Sequence, residues 1–173
     1  MNMMDEVYGD IRKKYNYVKR ISELLTNCSI AGCESIIDVG SRGLDVISVL
    51  PLKVKVSLDL VNPLVAEGVE SIICDFFDYQ PKEKFDVVCC FQTLEHIAEV
   101  EKFTKKLFAL AKKYVFISVP YKWNSSTCSE HIHDPVDEEK LAKWTEKQPI
   151  FKEIIFDKNA RRMICIYKLC YPV

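Results

Sequence analysis

The chain lacks the residues that hold a pyrophosphate. No G-x-G-x-x-G run occurs, and only five glycines are spread over 173 residues. Dinucleotide enzymes need that spacing so that backbone N–H groups can meet phosphate oxygens, which disfavours a nucleotide-dependent oxidoreductase. An excess of charge of either sign is also missing. Twenty-four Lys and Arg face 25 Asp and Glu, for a formal net charge of -1. No basic face follows from that balance, so nucleic acid is not an expected partner. No apolar run is long enough to span a bilayer. The first ten residues, MNMMDEVYGD, lack the charged-then-apolar pattern of a secretion signal. The expectation is a soluble, cytoplasmic chain with no membrane partner. Cysteine is plentiful, with eight residues, but they form no C-x-x-C pair and no metal-finger spacing. Several lie in apolar runs such as DVVCCF, which suits reduced, buried thiols. Repeats, low-complexity tracts and interdomain linkers are absent. Residues 1–173 are therefore expected to form a single α/β domain, since the length suits one core.

What is present is organised around Ile36 to Gly43, IIDVGSRG. A short apolar run closed by a turn signal suits a buried parallel strand. Gly40 and Gly43 allow a tight turn and a close approach to a ligand. Leu44 to Leu50 is then expected to start a helix. Upstream, Val7, Ile11, Tyr15, Val18, Ile21 and Leu25 recur at steps of three and four. They predict an amphipathic helix within residues 1–30 that covers the sheet. Tyr8 or Tyr15 could lean from it over a ligand.

Downstream, Lys53–Leu60 alternates as a second strand and ends at Asp59, about twenty residues after the turn, where an acid can bind ribose hydroxyls. Asn62-Pro63 begins a turn and a predicted short helix. Glu70–Cys74 is a third strand, followed by Asp75, Phe76 and Phe77, a carboxylate and rings suited to an adenine. Lys84–Phe91 is an unbroken apolar fourth strand. A long helix over Ile97–Ala111 and a fifth strand over Tyr114–Val119 come next. Residues 120–135 form a substrate-side loop. Asp134-Pro135 is expected to cap the helix carrying Leu141 and Trp144. Ile150–Phe156 and Arg161–Leu169 flank a hairpin turn.

In this order of motifs the chain resembles the class I S-adenosylmethionine-dependent methyltransferase family over almost its whole length. IIDVGSRG resembles the family's glycine-rich first motif, with Arg42 and Leu44 where the second and third glycines usually stand. SLDL and CDFFD resemble its ribose and adenine motifs. FDVVCCFQTLEHI is similar to the D-x-V-x-x-x-x-x-L-E-H-I run of many small-molecule members. The resemblance implies a Rossmann-like, doubly wound seven-stranded sheet with an antiparallel last strand. It also implies S-adenosyl-L-methionine as cofactor. Its site would use Asp38, Gly40, Ser41 and Gly43 from the first motif and Asp59 and Leu60 from the second strand. Asp75 and Phe76 would follow the third strand, with Phe91 and Gln92 at the end of the fourth.

Methyl transfer needs alignment and exclusion of water more than a fixed catalytic set. A base matters only when the nucleophile must lose a proton. The candidates are the chain's three histidines, His96, His131 and His133. The last two would share one side of an extended stretch. That pair could also bind a metal with Asp134, Cys128 or His96, but the set has no recognised spacing, and no metal is assigned. Tyr121 and Trp123 could stack on a ring or anchor the loop. The expected function is methyl transfer to a small-molecule or sugar-like acceptor. The alternative is a non-catalytic cofactor-binding module acting through a partner protein. The sequence sets no oligomeric state.

Overall fold

The valine- and isoleucine-rich runs build one sheet. The computed structural model describes residues 14–30 and 32–169. Strands β1 (Ser35–Val39), β2 (Val54–Asp59), β3 (Glu70–Ile73), β4 (Phe85–Phe91) and β5 (Ala111–Pro120) are joined by β6 (Phe151–Asp157) and β7 (Ala160–Lys168). Their spatial order is β3-β2-β1-β4-β5-β7-β6. The pairs among β1–β5 are parallel, and β7 runs antiparallel to both β5 and β6. The last strand is therefore the antiparallel one, as the resemblance implied. Every residue of β4 is buried, as befits a strand covered on both faces.

Helix α1 (Asn16–Ile30) covers one face, packing on β6 and β7. Its Tyr17, Val18, Ile21 and Leu25 join Ile36, Val87, Cys89 and Phe116 in one core cluster. Helices α2 (Val100–Leu110) and α3 (Glu138–Thr145) cover the other face, where Leu107, Leu141 and Trp144 meet Ile37, Val88 and Ile117. Of the expected N-terminal stripe, Val7, Tyr8 and Ile11 lie outside the described residues. Among the described residues, no helix is long and apolar enough to cross a membrane.

Three local expectations are corrected. Leu44–Leu50 forms turns, although Leu44, Val46, Ile47 and Leu50 are all buried. The Asp45 carboxylate accepts from the Ser48 N–H at 3.0 Å and from its hydroxyl at 2.5 Å, the contact a helix start makes, but Pro51 cuts the segment short and Leu50 N–H closes only a turn to Ile47 O at 3.2 Å. The stretch after Asn62-Pro63 is also irregular. There the Leu64 N–H donates to the Ser57 hydroxyl at 2.8 Å instead of to a helical carbonyl. Asp134, across a cis bond from Pro135, does not cap α3. Asp137 does, its Oδ1 accepting from the Lys140 N–H at 2.9 Å. The Asp134 carboxylate instead meets His131 Nδ1 at 2.7 Å.

The start of α1 is satisfied from the far end of the chain. Asp157, at the β6–β7 turn, accepts from the N–H groups of Asn16 at 2.5 Å and Tyr17 at 3.2 Å. It also lies 3.5 Å from Arg162 Nη1, with both side chains largely buried. A carboxylate suits a helix N-terminus because the orphan N–H groups and the helix dipole both favour negative charge. Asp157→Ala would strand those donors and leave a buried guanidinium unpaired. We expect a loss of about 2–4 kcal/mol in urea denaturation, well above that of an exposed carboxylate deletion.

Candidate functional site

The strand order reverses between β1 and β4, and the two strand ends meet there. Gly40, at φ +78°, leaves β1 and donates its N–H to Leu58 O at 2.8 Å. Thr93, just past β4, places its hydroxyl 3.2 Å from Gly40 O and 3.2 Å from Phe91 O. A Cβ on residue 40 would fall 2.5 Å from Thr93 Oγ1, so only glycine fits. A cleft of about 840 Å³ opens at this point, along the carboxyl ends of the parallel strands.

One end of the cleft is lined by Gly40, Leu58, Asp59, Leu60 and Asn62, and by Cys74 to Phe77. Asp59 is fixed by backbone donors: Arg42 N–H to Oδ2 at 2.9 Å, and Val61 and Asn62 N–H to Oδ1 at 3.0 Å each. A carboxylate offers about four lone-pair sites, so one remains beyond these three. Asp75 Oδ1 accepts from the Phe77 N–H at 2.8 Å. The Phe76 ring packs on Phe103, with centroids 4.5 Å apart. Arg42 adopts φ +45°, a left-handed conformation that costs a side-chain-bearing residue on the order of 1 kcal/mol or more. Its guanidinium reaches Glu130 at 3.7 Å, tying the glycine turn to the 120–135 loop. Both partners are exposed, so this pair is worth at most about 1 kcal/mol.

The other end is aromatic and carries the histidines. Tyr15, Tyr17, Trp123, Glu95, His96, His131 and Arg162 line it. The Arg162 guanidinium carbon stands 4.5 Å from the Tyr17 ring centroid, 5.0 Å from Tyr15 and 5.3 Å from Trp123. Its Nε donates to Gln92 Oε1 at 3.2 Å. The loop is tied down: Trp123 Nε1 donates to Arg161 O at 2.9 Å, and the Ile132 N–H to Glu95 O at 3.0 Å. His96 Nδ1 meets Glu130 O at 3.0 Å, and the His96 and His131 rings stand edge to face 4.7 Å apart. Burial pushes the His96 imidazole below its ordinary pKa, against the opposing pull of the Glu130 carbonyl. His133 stands outside the lining, with Nε2 2.8 Å from Ile97 O and its ring against Trp144.

The sequence matches no protein-family model and no curated protein. Solved structures do match. A Burkholderia thailandensis 1,6-didemethyltoxoflavin-N1-methyltransferase, with its ligand and S-adenosylhomocysteine bound, superposes at TM-score 0.71 and 13% identity, covering 92% of this chain and 80% of its own. N-methyltransferase NodS from Bradyrhizobium japonicum, bound to S-adenosylhomocysteine, gives 0.70 at 12% identity, with 91% and 90% covered. An S-adenosylmethionine-dependent methyltransferase from Clostridium acetobutylicum gives 0.69 at 14%, with 92% and 94% covered. The fold is that of the class I methyltransferases.

Within this methyltransferase fold, the sequence-derived candidates divide. Gly40, Asp59, Leu60, Asp75, Phe76, Gln92, His96 and His131 line one cleft. Gly43 stands outside the lining, as do Asp38, Ser41 and Phe91, all three buried. Ser41 shares a 2.8 Å hydrogen bond with Ser57, and Phe91 packs in the α1-side core. The Cys90 thiol is pushed well up by burial, then by the Asp38 and Glu95 carboxylates, as expected of a reduced core cysteine. Sequence reading missed Tyr17, Thr93, Glu95, Glu130 and Arg162. Only Glu95 and Thr93 carried a local signal, through their place in the QTLEHI run.

A depressed imidazole pKa gives a signed pH effect. His96 charges less readily folded than unfolded, so the neutral form contributes stability above about pH 6.5. That contribution is lost as pH falls toward the folded pKa. In EDTA-treated protein, NMR titration should show one of the three imidazoles, removed by His96→Gln, with a midpoint below the ordinary value.

Proposed function

We propose that the chain transfers a methyl group from S-adenosyl-L-methionine to a small-molecule or sugar-like acceptor. The observation that carries this reading is the gathering of Gly40, Asp59 and Asp75 around one cleft at the switch point. The cofactor fits what is there. Glycine at residue 40 lets Thr93 pack against the turn, so that the ends of β1 and β4 meet at the cleft where Gly40 and Thr93 both line it. The volume of about 840 Å³ lies in the usual range for small-molecule sites. Asp59, Asp75, Glu95, Glu99 and Glu130 outnumber Arg42 and Arg162 along the lining. That balance favours a ligand carrying an ammonium and a sulfonium over a pyrophosphate.

Asp59 is the residue to hold the ribose, and Asp75 with Phe76 the adenine. Bound S-adenosylmethionine supplies a methyl on a sulfonium, already a good leaving group. The chain's own residues position and shield. Tyr15, Tyr17 and Trp123 offer ring faces for an acceptor, and Arg162 adds a cation at their centre. His96 or His131 stands where a proton could be taken from it. In this reading residues 1–173 work as one domain in the cytoplasm, with 120–135 as the acceptor-side loop. The partner is a small molecule and not a nucleic acid. The three N-methyl or S-adenosylmethionine-dependent neighbours support the reaction class.

A second reading keeps the cofactor and loses the transfer, as a binding module acting through a partner protein. The departure at Arg42, which stands where the family's second glycine is usual and pairs with Glu130 of the 120–135 loop, favours it.

Calorimetric titration with S-adenosylhomocysteine separates these readings from no binding at all. Micromolar affinity is expected, weakened at least about ten-fold in Asp59→Ala, the loss of one good hydrogen-bonded site. No heat with the wild type would sink the proposal, and binding without turnover on any screened acceptor would favour the second reading. Arg42→Gly relieves a left-handed backbone position and removes an exposed ion pair. We expect unchanged or tighter binding and stability within about 1 kcal/mol of wild type.

A further inference from the structure

We propose that Glu95, His96 and His131 form a binding site for a divalent first-row transition-metal ion at the acceptor end of the cleft. One ligand atom from each of the three lies within 4.8 Å of the others, and all three residues line the cleft. The Glu95 carboxylate Oε1 is 4.0 Å from His96 Nε2. Ligands around one ion at about 2.1 Å stand roughly 3.4 Å apart, so the widest pair of the set, within 4.8 Å, closes by up to about 1.4 Å on metal binding. Two imidazoles and a carboxylate suit zinc, iron or manganese better than magnesium, which prefers oxygen alone.

The surroundings of the two rings carry the argument beyond proximity. His96 Nδ1 faces the Glu130 carbonyl at 3.0 Å, a group that only accepts. His131 Nδ1 faces the Asp134 carboxylate at 2.7 Å, with both side chains almost wholly buried. Each Nδ1 therefore acts as the donor, and in the neutral form of either ring Nε2 is the nitrogen that carries a lone pair for a metal. A carbonyl or carboxylate behind the distal nitrogen is how metal-binding histidines are held in tautomer and direction. Trp123 stacks on His131 at 5.5 Å between centroids and fixes its plane. A general base needs one such histidine; two, converging with a buried carboxylate, are a ligand set.

Three protein ligands leave coordination positions open to the cleft. An acceptor hydroxyl bound there would lose its proton to bulk water nearer neutral pH and need no dedicated base. This last role rests on the methyltransferase reading, whereas ion binding rests on the three side chains alone.

The test is zinc titration of the EDTA-stripped full chain, followed by NMR of the three histidine rings and by calorimetry. At one equivalent of Zn²⁺, the ring signals of His96 and His131 should shift most. Affinity should drop at least ten-fold in His96→Gln and in His131→Gln and stay as wild type in His133→Gln. Unmoved His96 and His131 signals in the wild type would overturn the proposal whatever the variants do. So would His96→Gln and His131→Gln proteins that bind zinc as the wild type does. S-adenosylhomocysteine titration of the same samples keeps the two readings apart. Zinc binding without it would leave the metal site standing and remove the cofactor reading, and the reverse result would remove only the metal site.

Discussion

The close contact of Gly40 with Thr93 is the constraint on which the rest of this molecule depends. Two strands that leave the sheet in opposite directions have their ends pressed together, with a threonine side chain filling the space where a Cβ would be. Because nothing but glycine fits, β1 can turn away at once and leave its last backbone groups facing open space. The crevice at a switch point exists in any doubly wound sheet. Here the threonine hydroxyl, 3.2 Å from both Gly40 O and Phe91 O, holds the crevice to one shape. Asp59 is then set by the same turn, since the Arg42 N–H that follows Gly40 is one of its three donors.

The two ends of the cleft are built by different means. The end holding Asp59 and Asp75 is made of strand termini and backbone donors, so its geometry follows from the sheet. The end holding the histidines is assembled from α1, β7, the turn after β4 and the 120–135 loop, joined by side-chain bonds. Ile132 N–H to Glu95 O and His133 Nε2 to Ile97 O clasp the loop to the turn that carries His96. Trp123 does not lie loose over the opening. Its indole N–H is committed to Arg161 O, and its ring lies between His131 and Arg162. The aromatic anchor and the ring-stacking surface are one side chain.

The sheet was legible because its strands are short apolar runs with turn signals on both sides, and β4 in particular reads as nothing else. The acids at strand ends were legible by spacing alone. The helices expected over Leu44–Leu50 and after Pro63 were not there: Pro51 cuts the first segment short, and the second is folded into short turns such as Val69 N–H to Ala66 O. Asp134 looked like a cap and is a histidine partner, a contact no local pattern encodes. Arg162 and Tyr17 were invisible as cleft residues, since the 144 positions between them carry no trace of their meeting at 4.5 Å. Spacing reads what the backbone does within one turn; it does not read side chains brought together from opposite ends of the chain.

The acceptor that caps α1, Asp157, comes late enough in the chain to set the order of assembly. The helix precedes every described strand, yet its first N–H meets an acceptor 141 positions later. Whatever helix forms there early is short and poorly capped, and short isolated helices are marginal in water. Closing so long a loop is among the slowest kinds of contact a chain makes. On a ribosome the β6–β7 hairpin emerges after every other described element, so α1 is locked down only once that hairpin is out. The same event brings Arg162 against Tyr17, so the aromatic end of the cleft forms after the strand-end half that holds Asp59 and Asp75.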